Sequence, residues 1–223
     1  MLTWLRRFLS SSVGLKVAMA LTGLALVGFL VAHLAGNLTI YADENGDAFN
    51  EYAATLAGNP LIWPARIGLL VTFVLHIALG MRLSAVNKAA RAEGYRVRQT
   101  MGGQTIGSGS MLITGLVVGA FLVVHVSDFS LPSILGTSTH DNLAEAVKER
   151  LASPAGFAIY YVGLIALGIH LSHAIQSAFQ SLGFNHPKYT PIIKHGGLAL
   201  AVLLFLGFAS IPLYCVLTSG GAH

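Results

Sequence analysis

The sequence predicts an all-α integral membrane protein, a bundle of five transmembrane helices forming a single domain over residues 1–223. Composition points there first. The chain is 54% hydrophobic and only 10% charged, whereas a soluble domain carries about a quarter charged residues. The second observation is distribution: a spanning helix needs about 20 mostly apolar residues, and runs of that kind recur five times. The third is an absence of pattern. Closed β-barrels would show segments of about ten alternating residues, and no such alternation is written here.

The first run, Val17 to Leu38, follows Arg6, Arg7 and Lys16. Arginines ahead of an apolar stretch imitate a secretory signal, but the run is longer than the roughly 7–15 residues of a signal's apolar region. No small-residue cleavage site precedes Asn37, so the segment is expected to be retained. The second run spans Leu61 to Met81. The third, Met111 to Val126, is short when counted strictly, and the uncharged Ile106 to Ser110 extends it upstream. The fourth covers Phe157 to Leu182, with Pro154 in the first helical turn, where its missing N–H costs nothing. The fifth runs from Gly197 to Leu217.

The connections fix an orientation. Lysine and arginine concentrate on the cytoplasmic side of a membrane protein. Arg6, Arg7 and Lys16 precede the first span; Arg82, Lys88, Arg91, Arg96 and Arg98 follow the second; Lys188 and Lys194 follow the fourth. The first connection is acidic instead, with Asp43, Glu44, Asp47 and Glu51, and the third carries Asp128, Asp141, Glu145 and Glu149 against Lys148 and Arg150. All three basic regions fall on one side. The expected topology has the N-terminus in the cytoplasm and the C-terminus outside, and the net charge of +4 reads as a topology signal rather than nucleic-acid binding. The stretches "YADENGDAFNEYAATLAGNP" and "HDNLAEAVKERLASP" suit short amphipathic pieces at the outer surface. The basic "NKAARAEGYRVRQTMGGQ" is a candidate cytoplasmic docking surface.

Several chemistries are excluded. Cys215 is the only cysteine, which leaves no internal disulfide and no thiolate cluster for zinc or iron–sulfur binding. No glycine-rich phosphate loop occurs. The 25 glycines are scattered through apolar segments, where small residues let helices approach closely.

The chemistry lies in the histidines. Of nine, five sit within apolar spans: His33, His76, His125, His170 and His173. Ionisable groups in a bilayer are costly and mark function; four helices each supplying one is a pattern. Depth sharpens it, at about 1.5 Å of rise per residue. His33 stands near the outer end of the first span, and His125 is three residues before Asp128, also outer. His76 lies in the inner half of the second span, and His170 near the middle of the fourth. The first and third helices thus offer one pair at an outer level, the second and fourth another at an inner level. Two neutral imidazoles from facing helices are what bis-histidine haem ligation requires, and a bundle core is a usual place for it. No C-x-x-C-H occurs, so covalent attachment is excluded and the expected cofactors are two b haems.

These residues resemble a known family over essentially the whole chain. "SSVGLKVAMALTG" leading into "VAHLAGN", then "AFNEYAATLAGNPL", "VLHIALG", "VVHVSDF", and "GIHLSHAIQSAFQSLG" followed by "NHPKY" look like the single-chain dihaem cytochrome b anchor of succinate dehydrogenase and fumarate reductase. The resemblance implies five helices, with His33 and His125 as axial ligands of the outer (distal) haem and His76 and His170 of the inner (proximal) one. His170 and His173 are three apart, and both cannot ligate one iron from trans positions. The family places its ligand thirteen residues before the glycine that ends this helix; counting back from Gly183 selects His170. His173 is then expected to pack or hydrogen-bond nearby.

The resemblance also implies partners. A cytoplasmic flavoprotein and an iron–sulfur subunit would pass electrons to this anchor, which would exchange them with a membrane quinone, menaquinone in the dihaem type. No dicarboxylate chemistry is expected on this chain. The place would be the bacterial cytoplasmic membrane. Glu51, in the acidic first connection, is the candidate for proton exchange with quinol, and Arg82 could face an inner propionate or serve as a positive-inside anchor. Two rivals remain: a dihaem anchor for another respiratory enzyme, such as a hydrogenase or formate dehydrogenase, and a non-redox transporter with a histidine proton path.

Overall fold

The computed structural model describes residues 2–89, 106–136 and 142–219. Among the described residues the chain is built from helices, and five are long and apolar enough to cross a membrane. Of the basic stretch offered above as a docking surface, Asn87 to Ala89 end a helix and the remainder lies outside the described residues.

Each span starts and stops for a local reason. A short helix α1 (Leu2–Ser10) breaks at Ser11, whose Oγ accepts the N–H of Gly14 at 3.0 Å and so caps α2 (Ser12–Asn37). A capping hydroxyl satisfies one of the first-turn donors left without an intrahelical partner. The helix therefore begins five positions before the apolar run counted from Val17. It closes in a 3₁₀ turn, Leu38–Tyr41.

The acidic connection that follows folds into α3 (Asp47–Gly58), a short surface helix. Its entry is organised by Asp43, whose carboxylate accepts the N–H groups of Asp47 at 2.7 Å and Ala48 at 2.9 Å. These amides hold the Asp43 carboxyl below the usual carboxylate range, that of Ala48 contributing most. Gly46 precedes the helix with φ 84°, and a Cβ there would collide with the Cβ of Ala144. Both constraints call for glycine.

Helix α4 (Ile62–Ala89) runs on past Met81 through Arg82 and Lys88, so its end is not set by the edge of the apolar run. Helix α5 (Ile106–His125) uses the upstream extension expected from the sequence. It continues through a π turn, Val126–Ser130, into α6 (Leu131–Leu135), where a plain loop would have been read. Helix α7 (Leu143–Ala152) is capped by Asn142, which accepts the Glu145 N–H at 3.1 Å. Helix α8 (Pro154–Ser181) is capped by Ser153, with Pro154 in its first turn; it ends before Gly183 at φ 91°. Helix α9 (Thr190–Ser219) keeps Pro212 inside it, fully buried.

Helix α8 is the centre of the bundle, packed along α5, α9 and α2, while α2 also packs along α4. In lipid the apolar effect does not drive helices together, so close van der Waals approach must. The contacts show it: the Phe121 ring lies directly over Gly163, and Leu34 over Gly207, with no room for a Cβ at either glycine. One buried cluster joins Leu164 and Leu171 of α8 to Ala201, Leu204 and Phe208 of α9. A second lies at the end carrying the acidic connections, where α3 and α7 close over Tyr160, Ile211 and Cys215.

That lid is sewn by amides. Asn50 donates to Asn142 Oδ1 at 2.7 Å and accepts from the Ala144 N–H at 2.9 Å, and Lys148 Nζ donates to the Glu44 carbonyl at 2.6 Å. Ser219, the last residue of α9, lines the same surface cleft as Asn45 and Asn142. The C-terminal end of the last span and both acidic connections therefore share one end of the bundle.

Candidate functional site

The four span histidines expected as ligands fall into two pairs across helix interfaces. At the lidded end, the rings of His33 (α2) and His125 (α5) stand 5.8 Å apart, nearly perpendicular at 85°. Aromatic rings enclose them: Phe29 stacks on His33 with centroids 5.2 Å apart, and Phe208 packs at 5.8 Å. Phe121, Phe129 and Tyr160 surround His125. Deeper in the bundle, His76 (α4) rests against Thr22 of α2 and His170 (α8) against Thr114 of α5.

The inner pair is held from the opposite helices. His76 Nδ1 lies 3.1 Å from Thr22 Oγ1 of α2, and His170 Nδ1 lies 3.2 Å from Thr114 Oγ1 of α5. Each threonine hydroxyl donates its own proton to a backbone carbonyl one turn back: Thr22 to Ala18 at 2.9 Å, Thr114 to Ser110 at 2.9 Å. A hydroxyl has one proton and spare lone pairs. With the proton so placed, Oγ1 is left to accept, and an imidazole protonated at Nδ1 donates to it. The residue after each threonine is glycine, and each ring rests on it: a Cβ at Gly23 would stand 3.2 Å from His76 Cε1, and one at Gly115 would stand 3.3 Å from His170 Cε1.

These contacts also measure depth. His33 is eleven positions beyond Thr22, and His125 eleven beyond Thr114, about 16 Å along each helix at ~1.5 Å per residue. The inner imidazoles rest at the level of the threonines. Two levels are therefore separated by about 16 Å on the same rise.

At the outer level the partners differ. The Tyr160 hydroxyl donates to Asp128 Oδ2 at 3.1 Å and lies 3.4 Å from His125 Nδ1. Asp128 in turn accepts from Arg150 Nε at 2.8 Å. His125 Nδ1 thus faces an oxygen whose proton is already committed to Asp128. His33 is the exception. The Asn37 side-chain nitrogen lies 3.3 Å from its Nδ1 and 3.4 Å from its Nε2 while donating to the His33 carbonyl at 2.7 Å.

The donor set fits a bis-imidazole group. His33 and His125, with ring centres 5.8 Å apart, are presented from two different helices and would hold such a group between them. Three of the four rings have Nδ1 engaged, which leaves Nε2 as the lone-pair nitrogen, the arrangement that metal-binding histidines use. For His33, the Asn37 amide must turn aside. Among the described residues, no three or more His, Cys, Asp or Glu side chains gather as a bare metal ion would need.

His173 is partly exposed on α8 one turn beyond His170, outside the two pairs. Glu51 is exposed on α3 at the lidded end, and Arg82 is exposed on α4. Cys215 is buried and unpaired. His186 and His195 lie at the opposite end, after α8 and in the first turns of α9; His140 and His223 fall outside the described residues.

Sequence reasoning missed the polar partners, above all Thr22, Thr114 and Tyr160. It also passed over a cleft of about 290 Å³ between α2 and α4, where Arg66 stands among Ala25, Phe29 and Leu69. Arg66 carries its guanidinium 5.1 Å from the Trp63 ring centre. A charged residue inside an apolar run was the available signal.

No family model, no curated protein and no solved structure matches the chain.

Proposed function

We propose that this chain is a dihaem cytochrome b, the membrane anchor of a complex of the succinate dehydrogenase and fumarate reductase type. The observation that carries the reading is the pair of pairs: two imidazole couples at two depths, each bridging different helices, with three of the four rings anchored through Nδ1. A proton-path transporter needs a connected file of histidines. Here the two levels are about 16 Å apart at helical rise.

Haem iron, when bound, supplies a one-electron couple at each level. His76 and His170 would hold the inner iron, and His33 and His125 the outer. The aromatic enclosure of the outer pair excludes water and keeps the surroundings weakly polar, which tunes the potential of such sites. The Arg150–Asp128–Tyr160 chain orients His125. Electrons would arrive from a flavoprotein and an iron–sulfur subunit at the basic, cytoplasmic face and leave to menaquinone in the bilayer, or travel in reverse. Glu51, exposed at the lidded end, is the candidate for exchanging the quinol proton. The membrane is a bacterial cytoplasmic membrane, with the N-terminus inside and the C-terminus outside.

Purification of the native complex tests this reading. A flavoprotein and an iron–sulfur subunit should co-purify, with succinate oxidation or fumarate reduction. Hydrogenase or formate dehydrogenase subunits in their place would assign the chain to another respiratory enzyme.

A further inference from the structure

Helices α2 and α5 carry the same segment in the same register. "MALTGLALVGFLVAH" (19–33) and "MLITGLVVGAFLVVH" (111–125) align without a gap and share eight of fifteen residues. Apolar side chains recur in any pair of spans, but the shared Thr-Gly pair and the histidine eleven positions later are not interchangeable apolar filler. The structure gives the two Thr-Gly pairs one use. Thr22–Gly23 receives His76, and Thr114–Gly115 receives His170, with Oγ1–Nδ1 distances of 3.1 and 3.2 Å and ring carbon Cε1 against the glycine in both. Each copy of the segment thus presents an outer histidine of its own and an inner seat for the histidine of another helix.

We infer that Thr22 and Thr114 are positioning residues for the inner pair: their hydroxyls accept Nδ1–H, fix the tautomer and aim Nε2 of His76 and His170 into the space between them. This rests on the dihaem reading given above and goes beyond it, assigning a role to two residues outside the ligand set. The chemistry is specific. A threonine hydroxyl bonded back to the carbonyl four residues earlier is a common way to satisfy that hydroxyl in an apolar helix, and it leaves an acceptor pointing sideways. An imidazole on an apolar face could otherwise present either nitrogen. The acceptor removes that choice, and accepting from the second nitrogen makes the first a stronger donor to a metal. Thr114 is buried at 7% exposure, so water cannot substitute easily.

The test uses the assembled complex with Thr22→Val, Thr114→Val and the corresponding serine variants. Valine keeps the shape and removes the acceptor; serine keeps the acceptor. The readouts are haem content, low-temperature electron paramagnetic resonance and redox titration of each haem, not turnover. Each valine variant should shift the inner low-spin signal, raise the inner midpoint potential and weaken inner haem retention, by about 10–100-fold where the outer-shell partner is lost outright. Serine should restore both, and the outer signal should stay put. Inner signals unmoved in both valine variants would overturn the inference while leaving the dihaem reading intact. Loss of both haems from the unaltered protein would overturn that reading instead. Pulsed resonance of the unaltered complex in H₂O and D₂O needs no variant: it should find an exchangeable proton on the remote ring nitrogen of the inner ligands, and coordination through Nδ1 would refute the assignment.

Discussion

The hydroxyl of Tyr160 lies 3.4 Å from His125 Nδ1 and donates to Asp128 Oδ2 at 3.1 Å. One side chain thereby ties an imidazole inside the bundle to an ion pair at its lidded end, because Asp128 also accepts from Arg150 at 2.8 Å. Asp128 lies in the π turn Val126–Ser130, three residues after His125.

Tyr160→Phe removes the link while preserving the ring that packs on Phe121 and Phe129. The expected cost in stability is modest, about 0.5–1.5 kcal/mol for a lost hydrogen bond. With two haems bound, the outer low-spin signal should shift and its midpoint potential rise, because His125 loses the acceptor behind Nδ1. Redox titration of the variant checks this; a shift confined to the inner haem would refute the role given to Tyr160.

His170 and His173 should separate cleanly. His170 is seated on Thr114 and Gly115, whereas His173 lies a turn further along α8. His170→Ala should lose the inner low-spin signal and block electron transfer across the membrane. His173→Ala should keep both signals with at most a small change in potential. The comparison is made by low-temperature electron paramagnetic resonance of assembled complexes, and the opposite pattern would move the ligand one turn on.

The spans and the histidine pairs were legible in the sequence because hydropathy and a charged group in an apolar run are both local signals. Pro154 and the upstream extension of the third span were legible for the same reason. The polar partners were not. Thr22 and Thr114 are ordinary residues in apolar helices, and only the crossing of α2 with α4 and of α5 with α8 brings each beside an imidazole more than fifty positions away. The early start of α2 at Ser12 follows from a serine cap that hydropathy does not score. Likewise α4 continues past Met81 because arginine and lysine are good helix formers, and an apolar count stops where the charges begin.

Asp43 gives the lid a pH dependence. Its carboxylate is held below the ordinary value of 3.8 by backbone amides of Ala48, Asp47 and Gly46. A carboxyl with a lowered folded value stabilises fully above its unfolded value, and that contribution fades as pH falls through the folded one. Hydrogen exchange at the Gly46, Asp47 and Ala48 amides should show protection near neutral pH that declines in acid below about pH 4. Asp43→Ala should lack that protection at every pH. Equal protection in both proteins would contradict the capping role.

Sidedness is open to labelling because the one native thiol is buried. A cysteine replacing Asn59, between α3 and α4, should react with an impermeant reagent from outside the cell. One replacing Lys188, between α8 and α9, should react only once the cytoplasmic face is opened. The reverse pattern would invert the topology and exchange the inner and outer labels.

The account turns on two imidazole pairs holding two haems, and a count decides it. A pyridine haemochrome assay of the purified chain, in its complex, measures protohaem per polypeptide. Two haems are expected, extractable into acid acetone because no thioether bond retains them. One haem or none per chain would contradict the assignment of His33 with His125 and His76 with His170 as ligand pairs.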